Sequence, residues 1–264
     1  MSGATKPGPA TEPGPATEPV PSLAPTPAGA GAKAHVLLAD IGGAGESALA
    51  LPDDVAHHLL HVLRLRAGDV VTATDGRGGW RPTRLVTGGA GLEPTAASLF
   101  VPRPRPPVGV GFALTKGDKP ELVVQKLTEL GVDRIVPFVA ERSVVSWDPT
   151  KAERNVARWR AVAREALRQS RQVWEPQVAA VGTFAEVCRE PHGIVRADLG
   201  GDPPDPERHH LVLVGPEGGW SSAERGAAVA TVSLGLSILR AETAAIVAGT
   251  LLVGIRAGLV NAVR

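Results

Sequence analysis

Leu211-Val-Leu-Val-Gly-Pro-Glu-Gly-Gly-Trp220 is a buried-strand run that discharges into a loop with three glycines, and Ser221 or Ser222 is placed to begin a helix. Ligands of open α/β sheets bind at such strand ends. Glycine there lets backbone N–H and C=O groups approach a ligand with no Cβ in the way. The stretch lacks the Gly-Lys-Ser/Thr ending of a P-loop and the spacing of a dinucleotide fingerprint, so nucleoside triphosphate and NAD chemistry are not supported. On these residues alone, a tight structural turn and a cofactor loop both remain open.

Outward from this stretch, strand and helix signals alternate. Strands are expected at 108–114, 134–139, 177–181, 194–197, 211–214 and around 233–239. Helices are expected at 120–130, 151–172, 184–189, after Ser222, and at 242–257. That alternation predicts an α/β domain built on a parallel sheet. Pro102, Pro104, Pro106 and Pro107 precede it as a stiff linker, so a domain boundary is placed near residue 105.

Upstream of the linker the pattern is strand-rich. Strands are expected at 35–39, 70–74, 80–86 and 92–100, with one helix opened by Pro52, Asp53 and Asp54 and running to about Leu65. Asp75-Gly76 with Gly78 and Gly79 marks a hairpin turn. A small β-barrel over 34–105 is the natural closure. Residues 1–33 are rich in Pro, Ala, Gly and Thr and repeat Pro-Gly-Pro-Ala-Thr-Glu at Pro7 and Pro13. They read as a low-complexity tail.

Composition narrows the class. With 43% hydrophobic and 21% charged residues the chain can bury a sizeable core. Cys188 is the single cysteine, which excludes an internal disulfide or a multi-cysteine zinc site and points to a reducing, cytoplasmic setting. The longest apolar run, about 244–255, is too short for a bilayer span, so no membrane role is expected. A formal net charge of +1 means that any nucleic-acid footprint must be local.

Three further segments carry polar chemistry. Leu234-Gly-Leu-Ser-Ile-Leu-Arg-Ala-Glu-Thr243 is another strand end running into a helix, suited either to ligand binding or to simple capping. Lys116, Gly117 and Lys119 follow the domain's first strand and are suited to gripping phosphate or to a solvated turn. On the long helix, Arg160, Arg164, Arg168 and Arg171 form a ridge beside an apolar stripe of Val156, Trp159, Ala163, Ala166, Leu167 and Ser170. In the small domain His57, His61 and Arg64 share a helical face near Arg77 and Arg81. This reads as an RNA-facing basic patch or a plain surface. His57 and His61 have the spacing of a zinc pair, but no Glu follows His57 and no third ligand is evident, so no metal is expected.

The order and spacing of several short motifs are more specific. His57-His58 with Val62-Leu63-Arg64, Lys116-Gly117, Glu129-Leu130-Gly131-Val132, Pro137-Phe138, Glu141-Arg142-Ser143, Glu165-Ala166 with Gln169-Ser170, Gly215-Pro-Glu-Gly-Gly219 and Ile238-Leu-Arg-Ala-Glu-Thr-Ala244 together resemble the RsmE family. Those are SPOUT-class methyltransferases that modify N3 of a uridine in the decoding region of 16S ribosomal RNA. The resemblance covers about residues 35–260. It implies a PUA-like barrel for RNA, a catalytic domain with a trefoil-knotted carboxyl-terminal part, S-adenosylmethionine as cofactor, 16S rRNA or the small ribosomal subunit as partner, and a homodimer.

The resemblance also implies roles. Leu114, Val214, Gly215, Pro216, Glu217, Gly218, Leu234, Gly235, Ile238, Leu239, Arg240 and Thr243 are expected around the cofactor. His57, His61, Arg64, Arg77, Arg81 and Lys119 are expected to face RNA. Lys116, Arg142 and Arg171 are candidates to stabilise a developing uracil anion, and Glu165 or Glu217 to take the proton. Two departures from the family pattern stand out: Leu236-Ser237 where Pro-Arg or a similar pair is common, and Gln172 where an Arg is usual, with Arg displaced to Arg171. The rival readings are a noncatalytic RNA-binding or assembly protein on the same fold, and a SPOUT enzyme for another RNA position.

Overall fold

The computed structural model describes residues 26–43, 48–89, 91–145, 147–189 and 193–261. Residues 1–25 of the expected tail lie outside the described residues. The rest of it is packed: Pro27 and Ala32 are buried, and the Arg171 guanidinium donates to the Ala32 carbonyl.

The small domain contains β1 (Ala34–Leu37), β2 (Leu49–Ala50), β3 (Val70–Thr74), β4 (Gly79–Leu85), β5 (Gly91–Pro94) and β6 (Leu99–Phe100). The sheet path is β1-β3-β4-β5-β2, with β6 also paired to β4. Its two ends are joined by a shared core, in which Ala34 and Val36 meet Leu49, Leu51 and Leu59. The single strand expected over 92–100 is instead β5 and β6. Asp75 makes the hairpin turn by accepting the N–H groups of Arg77 (2.7 Å) and Gly79 (3.0 Å). Gly78, at φ 97°, has no room for a side chain, since a Cβ would lie 2.4 Å from the Trp174 ring.

The helix expected to reach Leu65 is shorter. α1 (Asp53–His57) continues as a π-helical turn over His58–Val62, and Leu63 N–H closes on the His58 carbonyl at 3.0 Å. Arg64 then takes a left-handed φ of 54°, which stops the helix and lets Leu65 return to the core.

The large domain is a seven-stranded, wholly parallel sheet. It comprises β7 (Gly109–Ala113), β8 (Arg134–Val139), β9 (Gln177–Val178), β10 (Gly182–Thr183), β11 (Ile194–Asp202), β12 (Leu211–Val214) and β13 (Ala230–Val232). The order is β10-β8-β7-β12-β11-β13, with β9 on β8. Helices α2 (Lys119–Leu130), α3 (Pro149–Ser170), α4 (Phe184–Val187) and α5 (Ser222–Gly226) connect strands, and α6 (Ala241–Arg256) follows the last of them. β7 and β12 are buried throughout, as parallel strands covered on both faces must be. One core holds Val110, Phe112, Leu127, Trp159, Val212 and Leu252.

One expected strand is absent. Segment 233–239 is a loop, and the strand at this edge is the preceding β13. Leu236 (103% exposed) and Ile238 (87%) point into solvent, so the apolar alternation that suggests a strand here has no sheet face to bury.

The domains are joined directly. Gly78 N–H donates to the Val173 carbonyl (2.8 Å) and Glu175 N–H to Gly76 (2.9 Å), while Trp174 stands edge-on to Phe100 and donates its ring N–H to Val101.

Candidate active site

The middle of β11, the carboxyl end of β12 and the loop after β13 open on one hollow of about 710 Å³, within the range of small-molecule sites. Its floor begins at Gly215, where a Cβ would lie 2.9 Å from the Trp220 indole, so only glycine lets the chain turn beneath that ring. Trp220 is itself fixed: it stacks parallel to Phe138, touches Phe184 and donates to the Ala197 carbonyl at 2.9 Å.

The loop over 215–220 runs into a braced helix start. Ser221 and Glu224 form a capping box at α5. The buried Glu224 carboxylate also accepts the Glu141 N–H (2.9 Å), and its carbonyl accepts the Arg196 guanidinium (2.7 Å). The end of β8, the end of β12 and β11 are thereby locked together.

The opposite wall is the loop 233–240. Ser233 N–H donates to Asp202 and its hydroxyl to Gly235, whose φ of 152° favours glycine. The main-chain N–H groups of Leu234 to Leu239 have no partner among the described residues. Such a row of free donors beside apolar Leu199, Val214 and Leu239 suits a flat heterocycle with a polar edge. The residues present therefore fit an adenosine-bearing cofactor.

Lys119 connects the two walls. Its ammonium donates to Glu217 on the first loop and lies 3.6 Å from Glu242 in the first turn of α6. The hydrogen bond to Glu217 raises the Lys119 ammonium above the ordinary lysine range, and the same bond holds the Glu217 carboxyl below the usual carboxylate range.

Val214, Gly215, Pro216, Glu217, Gly218, Leu234, Gly235, Ile238, Leu239 and Arg240 all line this hollow. Two expected cofactor residues do not: Leu114 is sealed in the core, and Thr243 is exposed on α6 outside the lining. The sequence reading missed Asp198, Leu199, Arg225, Ser237 and Ala244, which share the lining. The strand expected at 194–197 continues to Asp202, so Asp198 and Leu199 lie within β11, in no glycine-rich motif.

The four catalytic candidates separate. The Arg142 guanidinium donates to the Gly218 carbonyl at 3.3 Å, and Lys116 is close enough to Glu217 to depress its carboxyl. Glu165 and Arg171 line a different cleft, between α3 and the small domain. Arg171 is not part of the helical ridge either. It caps α3 at φ 56°. The ridge is largely engaged within the chain: Arg160 donates twice to the Val178 carbonyl, Arg164 pairs with Glu175, and Arg168 pairs with Glu165.

Of the expected RNA-facing residues, His57, His61, Arg64 and Arg77 are exposed, and the two histidine rings lie 4.6 Å apart. Arg81 is a correction. It is 5% exposed and donates to the carbonyls of Ile41, Gly43 and Ala96, so it braces the small domain from inside. Its place in an alternating strand sets which face it occupies, and that face is the interior. Lys119, expected to face RNA from the loop after the large domain's first strand, lines the hollow and is tied to Glu217.

Among the described residues no group of three His, Cys, Asp or Glu is placed to hold a metal ion, and no helix is long and apolar enough to cross a membrane.

The chain matches the model of an RNA methyltransferase domain over residues 102–253 and that of an RNA methyltransferase PUA domain over 51–89. It is 34% identical over 223 residues to ribosomal RNA small subunit methyltransferase E of Mycobacterium bovis, covering 74% of this chain and 82% of the relative. The Bacillus subtilis protein of the same name is 30% identical, covering 71% and 82%. Among solved structures, ribosomal RNA small subunit methyltransferase E from Neisseria gonorrhoeae, bound to S-adenosyl methionine, aligns with a TM-score of 0.71 at 28% identity, covering 82% of this chain and 94% of that one. With both domains matched in sequence order and relatives 34% and 30% identical over most of their length, the chain belongs to the ribosomal RNA small subunit methyltransferase E family of RNA methyltransferases.

Proposed function

We propose that this protein transfers a methyl group from S-adenosylmethionine to N3 of a uridine in 16S ribosomal RNA, acting on the small ribosomal subunit in the cytoplasm. The observation that carries this reading is the hollow between the loops 214–220 and 234–240, in a chain whose relatives are named ribosomal RNA small subunit methyltransferases. S-adenosylmethionine supplies, when bound, a methyl group already activated on sulfur. The protein's task is then largely positioning and charge stabilisation.

Gly215 to Gly218 and Leu234 to Arg240 are the residues that would hold the cofactor. Lys116 and Arg142, at the loop mouth, would stabilise the negative charge that develops on uracil when N3 gives up its proton. Glu217 is ionised but engaged with Lys119, and Glu165 stands with Arg168 in the other cleft. Residues 34–105 would grip RNA through His57, His61, Arg64 and Arg77, and 106–264 would carry the chemistry, with the carboxyl-terminal part threaded as a trefoil knot. A second copy of the chain is the natural cover for the exposed Leu236, Ile238 and Leu259.

Mass mapping of 16S rRNA tests this. Small subunits from a strain lacking this gene should gain one methyl group on a uridine N3 when treated with the purified protein and S-adenosylmethionine, and Arg240→Ala should bind the cofactor more weakly. A methyl group at a different position would replace the N3 assignment. A folded protein that binds no S-adenosylmethionine would remove the enzymatic reading.

A further inference from the structure

We propose that the cleft between α3 and the small β domain holds one unstacked nucleotide of the RNA substrate. The inference rests on the reading of the chain as an RNA methyltransferase. It assigns a site that the cofactor hollow does not include.

The cleft has a volume of about 330 Å³, at the lower end of the range of ligand sites, and it lies where the RNA-binding and catalytic domains meet. Its composition matches a single base. Leu63, which caps the π-helical turn and is 42% exposed, offers an apolar surface backed by the buried Leu59. Gln169 on α3 and His58 on the turn are exposed, and neither side chain has a hydrogen-bond partner among the described residues. An apolar wall for the face of a base, with an amide for its Watson–Crick edge, is the usual recognition of single-stranded RNA. Lys33, paired with Asp69, and Arg171, which donates to the Ala32 carbonyl, line the cleft together with Asp54, so its charged lining is mixed in sign.

The floor argues for a base rather than a phosphate. His35 lies beneath the cleft with its Nε2 against the Gln172 carbonyl and its Nδ1 against the Thr72 hydroxyl, so both ring nitrogens are engaged. Burial holds its pKa near 4, and the floor is uncharged at neutral pH. Glu165 and Arg168 largely cancel each other on the α3 side. A cleft with the neutral His35 ring at its floor, Leu63 on one side and the one free amide of Gln169 on the other suits a heterocycle. This also accounts for Glu165 and Arg171 standing apart from the cofactor hollow of their own chain: their place is in positioning RNA.

Two variants of the full-length protein test the assignment. Gln169→Trp fills the cleft from an exposed helix position, and Gln169→Ala removes only the amide. Cofactor affinity is read by calorimetry, stability by Tm, and steady-state methylation on small subunits from a strain lacking the modification. The expected result is an unchanged Tm and cofactor affinity, with KM for small subunits raised about tenfold or more by Gln169→Trp and less by Gln169→Ala. Unchanged KM in both variants would overturn the proposal, and so would a loss of cofactor affinity matching the loss of activity. Wild-type protein that leaves the subunits unmethylated would instead sink the functional reading on which the proposal rests.

Discussion

The guanidinium of Arg256, in the last turn of α6, donates to the carboxylate of Asp133 at the head of β8, and both side chains are almost completely buried. Asp133 also accepts the Val108 N–H at 2.9 Å, and Arg256 donates to the carbonyls of Gly131 (2.9 Å) and Pro106 (3.3 Å). One ion pair thus joins the start of the catalytic domain, the α2–β8 turn and the final helix. Removing one partner of such a pair leaves a buried charge uncompensated, at a cost of about 3–5 kcal/mol. Asp133→Ala should lower the free energy of unfolding by that amount in urea titrations, and Asp133→Ala with Arg256→Met should recover part of it.

Lys119 ties Glu217, on a loop of the cofactor hollow, to Glu242 in the first turn of α6. Without the ammonium the two carboxylates repel and the loop 215–220 loses its tie to α6. Lys119→Met should weaken S-adenosylmethionine binding by about two- to fivefold, as expected for a partly solvated ion pair, with a smaller effect at high salt. Lys119→Arg should keep most of the affinity. Calorimetry at two ionic strengths checks both.

His35 makes stability depend on pH. Its folded pKa of about 4 lies below the ordinary 6.5, first because of burial. Between those values the unfolded chain binds more protons than the folded one, so stability rises with pH. The contribution is fully present above about pH 6.5 and is lost as pH falls to about 4, on the order of 3 kcal/mol in all. Tm measured across this range should fall on acidification for the wild type, and His35→Asn should flatten that slope.

Arg77 and Arg81 sit four residues apart and have opposite roles. Arg81 satisfies three buried or part-buried carbonyls, so Arg81→Ala should cost about 2–4 kcal/mol of stability. Arg77 is exposed on the hairpin, and Arg77→Ala should leave Tm unchanged while lowering the salt dependence of RNA binding by about one ion. Thermal unfolding and filter binding at several salt concentrations separate the two.

Much of the fold is legible along the chain. The expected bounds of Val70–Thr74, Arg134–Val139 and Leu211–Val214 coincide with β3, β8 and β12; for β12, buried on both faces, the signal is a continuous apolar run, and β3 and β8 are rich in β-branched residues. The segment 233–239 misled because its alternation of apolar residues lies on a ligand and surface loop. Periodicity records that apolar side chains recur, without recording what covers them.

By itself the sequence determined the order of elements, the two-domain arrangement of β-rich and α/β segments, and the glycine-bearing strand ends that line the hollow. These depend on residues near one another in the chain: apolar runs, caps and turn glycines. Only the tertiary structure decided that Arg81 points inward, that Arg171 caps α3 and reaches Ala32, that Lys119 spans two loops, and that Glu165 stands in a different cleft from Arg142. A charged side chain takes its role from its partners, and here those partners lie far away in sequence, brought close only when the sheet, α6 and the small domain are assembled.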